Sequence, residues 1–234
     1  MAEFIQWATL LSVTDLTPHV RQLVLLPKER PLSFRPGQWV SLKLPVGPNP
    51  PLNRAYSMAA PGTASGELTL ILDRVVGGLG SGYLYELSPG NDVELSGPYG
   101  NFTLPPRLDH ELLLIGRFTG LVPIRCMLKQ MYSQQRTESV LLIAVAPDED
   151  DLLFHHEFLT LAVHHPGFRY LPLVAAAGEQ QGVDLVLSML RPLMSGGPKM
   201  LPMLCGTKHF VRPLRAYFLE AGYGRKEVKN ETYD

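Results

Sequence analysis

Apolar and polar positions repeat with two different periods along this 234-residue chain. From Trp7 to about Thr103 the apolar stretches are short, often alternating, and separated by turn residues. Trp7–Val13 and Val20–Leu26 flank the cluster Asp15-Leu16-Thr17-Pro18; Gln38–Leu44, Ala55–Ala59, Glu67–Leu72 and Asp92–Ser96 follow. Arg35-Pro36-Gly37, the Pro45–Pro51 run, Pro61-Gly62 and Pro89-Gly90 separate them. Six such segments with frequent turn signals predict a small, closed, six-stranded antiparallel β-barrel. One interruption, Gly77-Gly78-Leu79-Gly80-Ser81, leads into Gly82–Leu87, which reads as a short helix with Ser81 at its N-cap.

After the polar break Arg107-Leu108-Asp109-His110 the period changes. Buried-strand candidates Leu112–Ile115, Val140–Ala144, Tyr170–Val174 and Leu201–Cys205 alternate with helical stretches, and Glu227–Glu231 reads as a last short strand. Ile124, Met127, Leu128 and Met131 fall on one helical face opened by Pro123. The acidic run Asp148–Asp151 reads as the start of a helix reaching about His165, since negative charge favours a helix N-terminus. Val183–Leu190 reads as another helix. Phe210, Leu214, Tyr217, Phe218 and Ala221 form a last apolar stripe, stopped by Gly222. Alternating β and α elements predict an α/β domain with a five-stranded parallel sheet covered on both faces. The expected domains are residues 1–107 and 108–234.

Composition narrows the class. Apolar residues make up 45% and charged residues 18%, enough for real cores. A net charge of -1 offers no strong field for nucleic acid or an anionic membrane. No apolar run approaches the roughly 18 residues that cross a bilayer. Met1-Ala2-Glu3-Phe4 does not read as a signal peptide, so a cytoplasmic setting is expected. The two cysteines, Cys126 and Cys205, are too few for a four-cysteine iron–sulfur site.

Arg54-Ala55-Tyr56-Ser57 carries the first candidate chemistry. In a strand, Arg54 and Tyr56 share one face and Ala55 and Ser57 the other. A guanidinium fork suits phosphate, an aromatic face suits a flat ring, and a hydroxyl donates and accepts. An ordinary strand with a surface Arg–Tyr pair is the competing account. The loop Gly77–Ser81 is a second candidate, because a glycine-rich turn entering a helix presents free backbone N–H groups to an anion; a flexible hairpin is its alternative. Gly116…Gly120 and Cys205-Gly206-Thr207 end two predicted parallel strands, where ligands of such sheets bind. Cys205 also suits a buried core position. His155-His156 and His164-His165 read as solvated helix histidines rather than metal ligands, and no metal site is expected. Arg212, Arg215, Arg225, Lys226 and Lys229 form a loose basic cluster, either a solvated face or a landing area for an acidic protein. Met189, Met194, Met200 and Met203 read as core filler.

The order of these motifs resembles the ferredoxin–NADP⁺ reductase superfamily, in particular members without a fused iron–sulfur domain, over nearly the whole chain. Arg54-Ala55-Tyr56-Ser57 matches its R-x-Y-S motif, Phe34–Gln38 the strand entry before it, and Gly78…Ser81 its flavin phosphate loop. Gly97–Phe102 matches the barrel exit, and Thr119-Gly120 with Pro123 the end of G-G-G-T-G-x-x-P. Leu152–Phe154 with Glu157-Phe158 resembles the helix there, Cys205-Gly206 the C-G pair, and Glu231-Thr232-Tyr233 the C-terminal E-x-aromatic.

The resemblance implies a bound FAD (FMN remaining open) and NADH or NADPH as substrate. Arg54 would bind flavin phosphate, Tyr56 would pack on the isoalloxazine, and Ser57 would hydrogen-bond near N5. Ala55, Leu72, Gly77 and Leu79 join the expected flavin contacts, with the backbone of Gly78, Leu79, Gly80 and Ser81 on the pyrophosphate. Thr119, Gly120, Cys205 and Gly206 would meet the nucleotide, and Ser57, Cys205 and Tyr233 would carry the catalytic roles. Electrons would pass to a separate acceptor protein, such as a ferredoxin or an oxygenase component. Where the family has three glycines this chain has Gly116-Arg117-Phe118. Val145-Ala146-Pro147 and Ala175–Gly178 replace the family's usual Gly-x-Arg and Ser-Arg, which favours NADH over NADPH. A free-flavin reductase, and an electron-relay subunit with a degenerate nucleotide site, are the alternatives.

Overall fold

A computed structural model describes residues 4–194 and 200–233. The chain divides into two units: residues 1–104 with Arg125–Met131, and residues 105–124 with 132–234.

In the first unit the strands are β1 (Ile5–Thr17), β2 (Val20–Pro27), β3 (Trp39–Leu44), β4 (Leu52–Ser57), β5 (Leu68–Asp73) and β6 (Asp92–Tyr99), with helix α1 (Leu79–Glu86) between the last two. They form one six-stranded antiparallel sheet in the order β4-β3-β6-β1-β2-β5. The outer strands meet where Met58 bridges Leu70 and the Ala59 N–H donates to the Thr69 carbonyl at 2.8 Å, which closes the sheet into a barrel. The alternation that predicted strands fills the interior: Leu23 and Leu25 of β2, Val40, Leu42 and Leu44 of β3, and Leu70 and Leu72 of β5 are buried together. Each such side chain stabilises the fold by about 1.5–3 kcal/mol. Bulges between Leu10 and Ser12 and between Asp15 and Thr17 let the long β1 bend. The middle of the following helix belongs to this unit: Cys126 lies in the barrel core, and the Arg125 guanidinium donates to the Ala59 carbonyl at 3.0 Å.

The second unit holds β7 (Glu111–Arg117), a 3-10 turn (Phe118–Gly120), α2 (Leu121–Ser133), β8 (Val140–Ala146), α3 (His155–His164), β9 (Phe168–Val174), α4 (Glu179–Leu193), β10 (Met200–Thr207), α5 (Lys208–Glu220) and β11 (Lys229–Tyr233). Its five strands are all parallel, in the order β11-β10-β7-β8-β9. β8 is buried at every position, as expected for a strand covered on both faces. Val183, Val186 and Leu190 of α4 and Phe210, Leu214 and Phe218 of α5 pack with the sheet residues Ile115, Ile143 and Leu204. The Gly222 stop is real: the residue adopts φ +95°, and the Tyr223 N–H returns to the Phe218 carbonyl at 3.1 Å.

Several local expectations fail for identifiable reasons. Ser81 does not cap α1: the helix begins two residues earlier with Gly78 at the N-cap position, and Ser81 is buried inside it. Its hydroxyl instead receives the Val75 N–H at 3.1 Å and ties down the glycine loop. The acidic run does not start α3; Asp148 accepts the Asp151 N–H at 2.9 Å in a turn, and the helix begins at His155 behind Phe154, whose φ is +63°. α4 starts at Glu179, four residues before its apolar stripe, because polar first-turn residues carry no periodic signal. Met189 is 37% exposed rather than core filler. Among the described residues no group of histidines, cysteines and carboxylates is placed to hold a metal, and no helix is long and apolar enough to cross a membrane.

Candidate active site

In the barrel unit, β4 carries Arg54 and Tyr56 on one face, opposite Leu42 and Val40 of β3. Arg54 is exposed, and its Nη1 donates to the Asn53 carbonyl at 2.9 Å. The stem of Arg54 lies over Gly80: a Cβ added to Gly80 would sit 3.2 Å from Arg54 Cγ and 3.3 Å from Leu44 Cδ1. A side chain on Gly80 would thus compete with Arg54 for space. Arg54 and the start of α1 were separate motifs in the sequence, and the fold makes them neighbours.

No side chain caps α1, so its first N–H groups keep their hydrogen-bonding capacity. Gly77, at φ +71°, has open space where a Cβ would be. The arrangement is a bare backbone turn, a helix start and a guanidinium within one unit, which fits a phosphate-bearing group. Tyr56 is half-buried, and burial raises its hydroxyl to about 12, so the ring stays neutral. Ser57 is half-buried at the end of β4, opposite Trp39. Ala55 is exposed on the same strand, and Leu79 is 57% exposed. Leu72 points into the barrel core, so it offers a ligand only its backbone.

A cleft of about 770 Å³ adjoins the glycine loop, lined by Pro18, His19, Arg74, Val76, Gly78 and Tyr83 among others. Val76 is 99% exposed at its edge, and the Arg74 N–H donates to the His19 carbonyl at 2.7 Å. Sequence reasoning missed this cleft. Pro18 and His19 come from the distant β1–β2 turn, and only strand pairing brings them to the loop.

In the α/β unit the candidate residues converge at the carboxyl ends of β7 and β10. These strands are adjacent, and the chain order reverses there: β8 and β9 lie to one side, β10 and β11 to the other. Ligands of open α/β sheets bind at such a switch point. Gly120 packs directly on β10; a Cβ there would come within 2.7 Å of the Cys205 carbonyl carbon and 3.0 Å of Gly206 N. Thr119 Oγ1 donates to the Tyr233 hydroxyl at 3.2 Å, and that hydroxyl donates to the Arg117 carbonyl at 2.9 Å. Tyr233 therefore fastens the turn after β7 to the last strand. Cys205 is buried, and burial first, then the nearby Glu231 charge, push its thiol well up. It is a neutral thiol at physiological pH, not a thiolate nucleophile.

Two acidic residues complete this end of the sheet. Glu231 stands beside Cys205 in the β10–β11 register, and burial holds its carboxyl above the usual range. Glu179, at the start of α4, accepts the Thr207 hydroxyl at 2.8 Å and faces Arg117 Nη1 at 3.5 Å. Sequence reasoning noted Glu231 only within a terminal motif and did not single out Glu179. The departure at Phe118 has a backbone consequence: φ is +50°, a conformation that favours glycine.

Two family models match successive parts of the chain. An oxidoreductase FAD-binding domain matches residues 8–104 and an oxidoreductase NAD-binding domain residues 114–215. Ferredoxin–NADP reductase B of Sorangium cellulosum is 32% identical, over 97% of this chain and 97% of its own length. The reductase subunit of an aromatic O-demethylase from Amycolatopsis is 35% identical over 72% of this chain, though the match spans 51% of that protein. The structure of an Amycolatopsis cytochrome P450 reductase, GcoB, superimposes with a TM-score of 0.78 at 29% identity, covering 98% of this chain and 70% of that one. Cradle, sheet and likeness along the whole length agree: the chain belongs to the ferredoxin–NADP reductase superfamily of FAD- and NAD(P)-dependent oxidoreductases.

Proposed function

We propose that this chain takes hydride from a nicotinamide nucleotide, NADH in preference to NADPH, onto bound FAD, and passes the electrons to a separate acceptor protein. A ferredoxin-like protein or an oxygenase component is the acceptor class; several similar proteins are named as the reductase parts of demethylase or monooxygenase systems, although the match spans only about half of some of them, 51% and 47%. The observation that carries the reading is Arg54 lying against the bare Gly80 at the uncapped start of α1.

In this reading residues 1–107 form the flavin-binding domain and 108–234 the nucleotide-binding domain, in a cytoplasmic protein. Arg54 and the N–H groups of Leu79, Gly80 and Ser81 hold the phosphates of FAD; the Gly78 N–H is spent on the Val75 carbonyl at 2.9 Å and, with Gly77 and Leu79, shapes that turn, and the backbone at Ala55 and Leu72 lines the flavin. Tyr56 supplies a neutral aromatic face, and Ser57 a hydroxyl for the ring edge. Thr119, Gly120 and Gly206 line the nucleotide cleft, Tyr233 holds its turn, and Cys205 presents an uncharged sulfur to the nicotinamide. When bound, FAD supplies a hydride acceptor that can also release electrons singly. The protein contributes position and electrostatics, so no acid–base dyad is needed.

Anaerobic titration of the flavin-loaded protein tests this reading: rapid bleaching of flavin absorbance by NADH, faster than by NADPH, is expected. The left-handed Phe118 and the Arg117–Glu179 pair, in place of a glycine loop, favour one second reading, a relay subunit that receives electrons from elsewhere. Bleaching by dithionite but by neither nucleotide would establish the relay and sink the reductase.

A further inference from the structure

The C-terminal end of the parallel sheet holds a polar cluster to which the proposed hydride-transfer reading gives no role. Arg117 ends β7, Glu179 begins α4 and Thr207 ends β10. One oxygen, Glu179 Oε1, serves both partners: it accepts the Thr207 hydroxyl at 2.8 Å and lies 3.5 Å from Arg117 Nη1. The shorter bond fixes the carboxylate on Thr207. The arginine contact is long for a charged hydrogen bond, which ordinarily closes to about 2.7–2.9 Å.

Arg117 is also poorly satisfied. Its side chain is 13% exposed, and its Nε is buried without a hydrogen-bond acceptor. A buried guanidinium donor left open is costly, and native structures tolerate one where function requires it. Neighbouring residues make room for it: a Cβ on Gly206 would stand 3.3 Å from Arg117 Cβ, so glycine there keeps space beside the arginine. The backbone that carries Arg117 is held separately, by the Tyr233 hydroxyl on the Arg117 carbonyl at 2.9 Å. The side chain can therefore exchange partners while the strand end stays fixed.

We infer that Arg117 is the phosphate-binding side chain of the nucleotide cleft, taking over from the missing glycines, and that Glu179 is its placeholder, holding the guanidinium by one long contact until a pyrophosphate displaces it. The inference rests on the proposed nucleotide function and names the group that recognises the diphosphate. Three features argue for a diphosphate. The cluster lies at the sheet's switch point, a guanidinium fork matches phosphate geometry, and the single carboxylate opposing it leaves most of the fork's donors open. Glu179 acts through Arg117 and is a positioning residue.

ADP-ribose is a suitable probe, because it carries the pyrophosphate and cannot reduce flavin. It would be titrated calorimetrically into the flavin-loaded protein. Arg117→Ala should weaken binding about tenfold or more, as loss of a charge-assisted hydrogen bond implies. Arg117→Lys, which keeps a point charge without the fork, should fall between and guards against a folding defect in the alanine variant. Glu179→Gln should tighten binding several-fold, and that gain should vanish in the Arg117→Ala background, since a placeholder acts only through its partner. Unchanged or tighter binding by Arg117→Ala would overturn the inference and mark Arg117 as an obstruction. An equal gain from Glu179→Gln in both backgrounds would overturn the placeholder role. If the parent protein binds no ADP-ribose, the nucleotide function itself fails; if the parent binds and the variants match it, only this inference fails.

Discussion

Gly120→Ala replaces one hydrogen by a methyl group at the tightest point of the α/β unit. The new Cβ would overlap the Cys205 carbonyl oxygen, lie 2.7 Å from the carbonyl carbon and stand 3.0 Å from Gly206 N. All three atoms are backbone of β10, which is paired to β7 on one side and β11 on the other, so no side chain can rotate out of the way. Nonpolar carbon contacts settle near 3.5–4.0 Å, so the turn after β7 must move by about 1 Å. Overpacking a tight site costs about 1–3 kcal/mol, and the rigid opposing strand places this case at the upper end. For proteins of this size each kcal/mol shifts Tm by about 2–4 °C, so a drop of about 6–12 °C is expected by circular dichroism. Gly82→Ala is the matched control: Gly82 lies inside α1 with open space around the added Cβ, and alanine there gains up to about 1 kcal/mol of helix propensity. If Gly120→Ala melts with its parent, or with Gly82→Ala, the close packing of the turn on β10 is wrong.

Arg54→Ala should yield folded protein with substoichiometric flavin, measured as released flavin per chain; full flavin content would contradict the phosphate role. Gly37→Ala should cost the barrel at least about 3 kcal/mol, read from the urea midpoint. Its φ is +95° and the added Cβ would strike the Phe102 carbonyl oxygen and Met127 Cε, so left-handed strain and overpacking add. A loss below about 1 kcal/mol would refute that contact. Burial raises the Glu231 carboxyl above its ordinary 4.5, so the folded form holds its proton more tightly than the unfolded chain. This contribution is fully present below the ordinary value and is lost as pH rises through the folded one. Glu231→Gln should therefore flatten the fall in stability as pH rises above about 4.5, and an unchanged slope across that window would count against it.

The element types were legible because each rests on a local period. Leu42 and Leu44 alternate with Lys43, and Ile124, Met127, Leu128 and Met131 recur at helical spacing, whatever the rest of the chain does. Element ends were less so. Ser81 looks like an N-cap in any local reading, and only its burial against Val75 shows that its hydroxyl is spent on the loop. Asp148 to Asp151 suit a helix start by charge, yet the Asp148 side chain competes for the Asp151 N–H and makes a turn instead.

The sequence by itself determined two units of different period, the motif order that points to a flavin and nucleotide reductase, and the substitution of Arg117 and Phe118 into a glycine loop. Those properties depend on residue types at short spacing, and no packing is needed to see them. Tertiary structure alone decided that Arg54 rests on Gly80, that Glu231 stands beside Cys205, and that Glu179 reaches both Thr207 and Arg117. Each pair comes from separate elements, joined by a strand register or a sheet crossover. Burial then sets their chemistry, as in the raised Cys205 thiol, because desolvation depends on every neighbour at once.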